Sequence, residues 1–182
     1  LKNLYHGVLH IPGLLTPDFV SIRTDTERYS IDKFVKEVVV PEIRPTDRIL
    51  DAGAGRMQFK PLLDFAHYES TDFEDVFHKD SQSKHTFICS LDDIPKLDNT
   101  YDVVLSTQVL EHVEYPQKVI NEFFRILKPG GKLFLTTNQM FPLHHAPYNF
   151  YFFTSFGLSS LYKNAGFEIL YLEPRGGIFW LL

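Results

Sequence analysis

The chain has 182 residues, 44% hydrophobic and 23% charged, which fits one domain with a core of ordinary size. Its formal net charge of -5 offers no field for a phosphate backbone, so nucleic acid is not an expected partner. Cys89, the one cysteine, excludes an internal disulfide and fits a reducing, cytoplasmic setting. No apolar run reaches the roughly 18 residues of a membrane helix, so no membrane insertion is expected.

The first residues show no signal-peptide pattern. The chain opens on Leu1 and stops on "GIFWLL", and it is expected to be a piece of a slightly longer one. Residues 1–25 carry Pro12, Gly13 and Pro17 and read as an irregular N-terminal arm or lid. "SIDKFVKEVVVPEI" then sets Ile31, Phe34, Val35, Val38 and Val39 at helical spacing, with Pro41 as the stop.

Strands and helices alternate from there. "RILDA" reads as a strand, and Phe59, Leu62, Leu63 and Ala66 mark a helix face. "YESTD", "TFICS" and "YDVVLST" read as the second to fourth strands, the last apolar enough to be buried on both faces. "PQKVINEFFRIL" is a helix with Pro116 in its first turn. "KPGG" turns into "KLFLTTN", the fifth strand. Thr154 can cap a helix that presents Leu158, Leu161, Tyr162 and Ala165 and ends at Gly166. "FEILYLE" reads as a sixth strand, and "GGIFWLL" as a seventh strand or a helix start. The fold expected is α/β, Rossmann-like, with a mostly parallel six- or seven-stranded sheet and helices on both faces.

Ligands in such sheets bind beyond the carboxyl ends of the strands, near the point where strand order reverses. "RILDAGAGRMQF" puts Asp51, Gly53 and Gly55 there. A lone G-x-G is as often a plain tight turn as a ligand loop. A dinucleotide fingerprint needs a third glycine where Gln58 stands, and Asp51 would repel a pyrophosphate. A ligand with positive charge and no phosphate suits Asp51 better, and S-adenosylmethionine is such a ligand. Asp72, 21 residues after Asp51, ends the second strand, where an acid accepts hydrogen bonds from ribose hydroxyls.

"ILDAGAG", then "TD", then "SLDDIPKLDNTYDVVLSTQVLEHVEYPQKVINEFFRILKPGGKLFLTTN" resembles the class I S-adenosylmethionine-dependent methyltransferases, in the subgroup with D-x-G-x-G and "LEHV…KPGG" motifs. The resemblance covers roughly residues 30–172. It implies a sheet whose last strand is antiparallel. It also implies that Asp51, Ala52, Gly53 and Gly55 lie against the methionine part and ribose, that Asp72 binds ribose, and that Phe73 lies beside the adenine. Ser90 stands where the family often has an acid near the adenine amino group, so the Leu91 backbone or Asp92 is expected to serve instead. Thr107 and Gln108, after Ser106, match positions that approach the methionine moiety. Glu111 and His112 invite an acid–base reading, but the recurrence of "LEH" across enzymes with different acceptors implies a framework role.

After the fifth strand comes an aromatic segment, "NQMFPLHHAPYNFYFFTSFGLSSLYKNAGF". It resembles the H-x-x-P-Y-D-Y-x-R-x-T-x-x-G-L stretch of methyltransferases of bacterial glycan and polysaccharide synthesis, with Asn149, Phe150 and Phe152 as departures. It is expected to face the acceptor, with His144 or His145 as the catalytic proton acceptor, or else to be an aromatic cover over the sheet. Adjacent histidines do not readily chelate one ion and no Cys/His set at ligand spacing completes a site, so no metal is expected.

One methyltransferase domain, 1–182, is therefore expected, with an arm (1–30), a cofactor-binding core (31–137), an acceptor-side segment (138–157) and a C-terminal part (158–182). Its partners would be a small-molecule or glycan acceptor and, as an assembly to test, a second copy in a homodimer. Two rival readings are a nicotinamide-dependent oxidoreductase, opposed by Asp51 and Gln58, and a non-catalytic module that keeps the cofactor loop.

Overall fold

The computed structural model describes residues 26–73 and 84–174. The N-terminal arm (1–25) and the "GGIFWLL" segment lie outside them. Helix α1, Thr26–Phe34, runs into a π turn, Val35–Val39, and a 3-10 turn, Val40–Glu42. Pro41 cannot donate to an α ladder, and the helix unwinds there, where the sequence predicts. Arg28 and Tyr29, expected in the arm, are part of α1.

Strand β1, Arg48–Ala52, leads through the glycine loop to a single helical turn, α2, Lys60–Leu63. Then come β2, His67–Asp72, β3, Phe87–Ile88, and β4, Tyr101–Thr107. A 3-10 turn, Leu110–His112, precedes helix α3, Pro116–Ile126. Strand β5, Leu127–Thr136, takes in the "KPGG" stretch, and the β4–β5 ladder is irregular between Tyr101 and Val103. Helix α4, Ser155–Ala165, begins at a Thr154 cap, whose Oγ1 accepts from Gly157 N at 3.1 Å, and ends at Gly166 in the left-handed region.

The described strands form one parallel sheet in the order β3-β2-β1-β4-β5. Order reverses between β1 and β4, so the crevice beyond their carboxyl ends is the expected ligand position. Residues 167–173, predicted as a sixth strand, carry no strand. A strand exists only through ladder pairing, and the candidate partner segment, 176–182, is outside the described residues.

Side chains alternate across the sheet, and each face is covered. Leu50, Ala52 and Val104 pack with Val119, Ile120, Phe123 and Ile126 of α3 and Leu158 of α4. Ile49, Val103 and Leu105 pack on the other face with Ile31, Val35, Val39 and Leu63. Adjacent residues Ile49 and Leu50 thus serve opposite cores, as a period of two requires. Each buried aliphatic or aromatic side chain contributes about 1.5–3 kcal/mol, so the two layers fix β1 and β4 firmly and leave their carboxyl ends to carry chemistry.

Candidate active site

The loop after β1 is shaped by two glycines for different reasons. Gly53 has φ +76, and a Cβ there would lie 2.4 Å from Val109 Cγ2. A turn after β4 therefore presses against the loop at the one residue without a side chain. Gly55 has φ +52, and a Cβ there would meet nothing within 4 Å. Open space borders the main chain at Gly55. The amides of Gly53 and Ala54 donate to the Thr71 carbonyl at 2.9 and 3.1 Å, which ties the loop to the end of β2.

Asp72 closes that tie. Its Oδ2 accepts from Gly55 N at 2.6 Å and its Oδ1 from Phe73 N at 2.7 Å. A carboxylate has about four acceptor positions, so two backbone donors orient Asp72 at the sheet edge and leave it capacity for hydroxyl groups. Phe73 beside it is 64% exposed. Across from it Ser90 Oγ donates to Asp92 Oδ1 at 2.5 Å, next to buried Leu91. Ser90 therefore orients the carboxylate that stands two residues on. The Gly55 opening, the half-buried Asp72 and the exposed Phe73 ring suit a nucleoside better than a pyrophosphate, since the side-chain groups at the crevice are acceptors.

Asp51 is a different kind of acid. It is buried, and its Oδ2 accepts from Tyr68 Oη at 2.8 Å. Burial pushes its pKa up to about 7; the Tyr68 bond opposes this and the Asp72 charge adds to it. Asp51 shares the Ile49 face by strand alternation, while Ala52 belongs to the opposite core. Tyr68 left no signal in the sequence, because its closeness to Asp51 depends on strand register: Ile49 opposes Tyr68 and Asp51 opposes Ser70.

After β4, Gln108 takes φ +55; its main-chain N donates to Thr136 O at 2.9 Å and its Nε2 to Thr136 Oγ1 at 3.0 Å. Thr107 and Gln108 are both half-buried. Glu111 is fully buried. Its carboxylate accepts from Thr137 Oγ1 at 2.7 Å and Asn138 Nδ2 at 3.1 Å, and its carbonyl from the amides of Phe150 and Tyr151 at 2.9 and 3.3 Å. One residue of the "LEH" motif thus clamps the aromatic segment to the end of β5.

That clamp brings three histidines together. His112 and His144 lie 4.8 Å apart by ring centroid, and His145 lies 5.2 Å from His112 and 5.3 Å from His144. A carbonyl only accepts, so His112 Nδ1 donates to Tyr148 O at 2.7 Å and His144 Nδ1 donates to Pro142 O at 3.0 Å. In the neutral rings Nε2 is then the acceptor. Desolvation lowers the His112 pKa; the Tyr148 carbonyl works against this and His144 adds to it. The sequence offers His144 and His145 as a pair and His112 as framework; the fold makes a trio of them. His144 is half-buried and His145 exposed, at a positive φ of 54.

Residues 50–135 match the family model described as a methyltransferase domain. The chain is 27% identical over 173 residues to the ubiquinone/menaquinone biosynthesis C-methyltransferase of a Ruegeria species, covering 86% of this chain and 63% of that protein. It is 35% identical over 81 residues to the mouse mitochondrial ubiquinone biosynthesis O-methyltransferase, covering 44% of this chain and 20% of that protein. The chain thus spans less than two thirds of the length of these relatives. Among solved structures, a Bacillus halodurans methyltransferase superposes with TM-score 0.60 at 16% identity, over 75% of this chain and 69% of that one. The complex of the Haloferax volcanii Trm112 methyltransferase activator with a methyltransferase gives TM-score 0.59 at 16% identity, over 85% and 77% of the two chains. The fold is that of the Rossmann-like methyltransferases, and residues 50–135 are the part of it that carries the match to the methyltransferase-domain family. Among the described residues no helix is long and apolar enough to cross a membrane.

Proposed function

We propose that this methyltransferase domain works on an oxygen or nitrogen of a small-molecule or glycan-type acceptor, held between the cofactor crevice and residues 138–157. The observation that carries the reading is the arrangement along the carboxyl ends of the strands: an open main-chain loop at Gly55 after β1, an oriented acid at Asp72 at the end of β2, and a cluster of imidazoles carried by the segments after β4 and β5. When bound, S-adenosylmethionine supplies an electrophilic methyl carbon for in-line displacement.

The residues of the chain bind and align. Asp72 accepts the ribose hydroxyls. Phe73 and Leu91 flank the adenine, with Ser90 and Asp92 at its polar edge. Asp51, Ala52, Gly53, Gly55, Thr107 and Gln108 line the ribose and methionine side. Alignment of two reactants is worth roughly 7–11 kcal/mol, so positioning supplies much of the rate. Where the acceptor must lose a proton, His144 Nε2 takes it, because its Nδ1 is committed to the Pro142 carbonyl; His145 stands next to it. Asn149 Nδ2 is buried with no hydrogen-bond partner among the described residues, and an acceptor oxygen would satisfy it.

A second reading of the acceptor is a phenolic ring. Tyr148, Phe150, Tyr151 and Phe152 are all at least 40% exposed along the same segment, and exposed aromatic side chains favour an aromatic partner. The two ubiquinone-pathway relatives point the same way, one named as a C- and the other as an O-methyltransferase.

Calorimetric titration with S-adenosylmethionine and with NAD tests the cofactor. Binding of the first alone is expected, and binding of NAD alone would overturn the proposal. Glycan precursors and simple phenols, offered separately with release of S-adenosylhomocysteine followed, test the acceptor. Release with neither, nor with a broad metabolite extract, would favour a non-catalytic binding module.

A further inference from the structure

We propose that Glu111, His112 and His144 form a binding site for one divalent transition-metal ion of the zinc type. Spacing along the chain gives no hint of it, because the three come from the turn after β4 and from the segment after β5. The fold places one ligand atom of each within 4.8 Å of the others.

Each of the three is held as a metal ligand is held. A ligating histidine usually donates its other ring N–H to a carbonyl or carboxylate, which fixes the tautomer and the ring plane. His112 donates Nδ1–H to Tyr148 O and His144 donates Nδ1–H to Pro142 O, so in both rings Nε2 carries the lone pair. The Glu111 carboxylate is oriented by Thr137 Oγ1 and Asn138 Nδ2, both neutral groups, in a fully buried position. A carboxylate oxygen beside two imidazole nitrogens is a donor set that one divalent cation can bridge. Two imidazole nitrogens and one carboxylate oxygen suit borderline ions such as Zn2+ over Mg2+, which prefers oxygen.

Ligand atoms on one such ion lie roughly 3–3.5 Å apart at bond lengths near 2.1 Å. Binding of one ion would therefore draw the three ligand atoms together by about an ångström. Three protein ligands leave open positions, as in catalytic rather than structural zinc sites. An acceptor oxygen in one of them would ionise more readily, and with His144 Nε2 on the ion the proton passes to His145 instead. That use of the ion rests on the proposed methyl transfer; the ion site itself does not.

The test is titration of chelator-stripped protein with Zn2+ against a chromophoric competitor, with Mg2+ in parallel and far-UV circular dichroism as a check of folding. One Zn2+ per chain is expected, bound at least tenfold more weakly by His144→Ala and His112→Ala and equally by His67→Asn, a change at an exposed histidine at the start of β2. Substituted Co2+ should give visible bands that move in the same two variants. Failure to bind stoichiometrically, Mg2+ binding as tight as Zn2+, or an affinity indifferent to His144→Ala would overturn the site. Titration of S-adenosylmethionine into the same stripped protein separates the two proposals. Cofactor binding without Zn2+ uptake removes the ion site alone, and Zn2+ uptake without cofactor binding removes the methyl-transfer reading alone.

Discussion

Gly53 and Gly55 look alike in sequence and do different work. Alanine at Gly53 drives a Cβ into Val109 and forces a positive φ on a residue with a side chain. Gly53→Ala should cost about 1–3 kcal/mol, read by urea unfolding, and Val109→Ala should restore part of it. Gly55→Ala meets no atom of the protein, so its stability cost should stay near 1 kcal/mol, while its Cβ projects where the cofactor is proposed to lie. Calorimetry should find the larger loss of cofactor affinity at Gly55. Asp72→Ala removes a charge-assisted acceptor worth about 1.5–3 kcal/mol, so affinity should fall roughly tenfold or more; unchanged affinity would put the ribose contact elsewhere. Asp51 makes a pH prediction. Its carboxyl, with a folded pKa pushed up to about 7 against an ordinary value of 3.8, holds its proton longer in the folded state. Stability therefore falls as pH rises from about 4 to about 7, and Asp51→Asn should flatten that fall. A bound sulfonium nearby favours the ionised form, so cofactor binding at pH 6 should release protons, visible as calorimetric enthalpies that differ between buffers of unlike ionisation heat.

At the level of elements, the glycine loop, the acid at the end of β2 and the capped α4 were all legible in the residues, because each follows from local chemistry. Thr154 and Gly166 announce the two ends of α4, and Val119, Ile120, Phe123 and Ile126 of α3 are buried at helical spacing. Non-local pairing was not legible. Residues 167–173 have strand-like composition and no strand, since composition does not supply a partner. The Glu69 network is likewise invisible along the chain. Lys96, Arg48 and Tyr101 converge on its carboxylate at 2.5, 2.9 and 2.7 Å. Burial disfavours the charge, but hydrogen bonds from Lys96, Tyr101 and Arg48 outweigh it and hold the pKa at about 2. The stabilisation is present above the ordinary carboxylate range near 4.5 and is lost as pH falls through about 2. Glu69→Gln should lower stability at pH 7 by about 1–2 kcal/mol, discounted for solvent screening at a partly exposed site, and shrink the acid-induced loss. Phe123, fully buried under α3, is the element-scale control: Phe123→Ala should cost about 3–5 kcal/mol at every pH.

For the whole molecule, sheet order decides where these parts meet. The reversal between β1 and β4 sets the glycine loop beside the "LEH" turn, and the pattern of alternating elements points to that edge as the candidate site. It was not enough to predict the histidine trio, because His112 and His144 are 32 residues apart and are brought together by non-local bonds, among them the Glu111 clamp and the bond from His112 to the Tyr148 carbonyl. The same turn that touches Gly53 through Val109 also carries Glu111, which grips the backbone of Phe150 and Tyr151. Two ligands seated as proposed on either side of this shared turn are therefore expected to be coupled. Whatever factor the cofactor adds to the acceptor's affinity, the acceptor must return to the cofactor's, so an ill-fitting acceptor should be detectable as a weakened grip on the nucleoside before any turnover is measured.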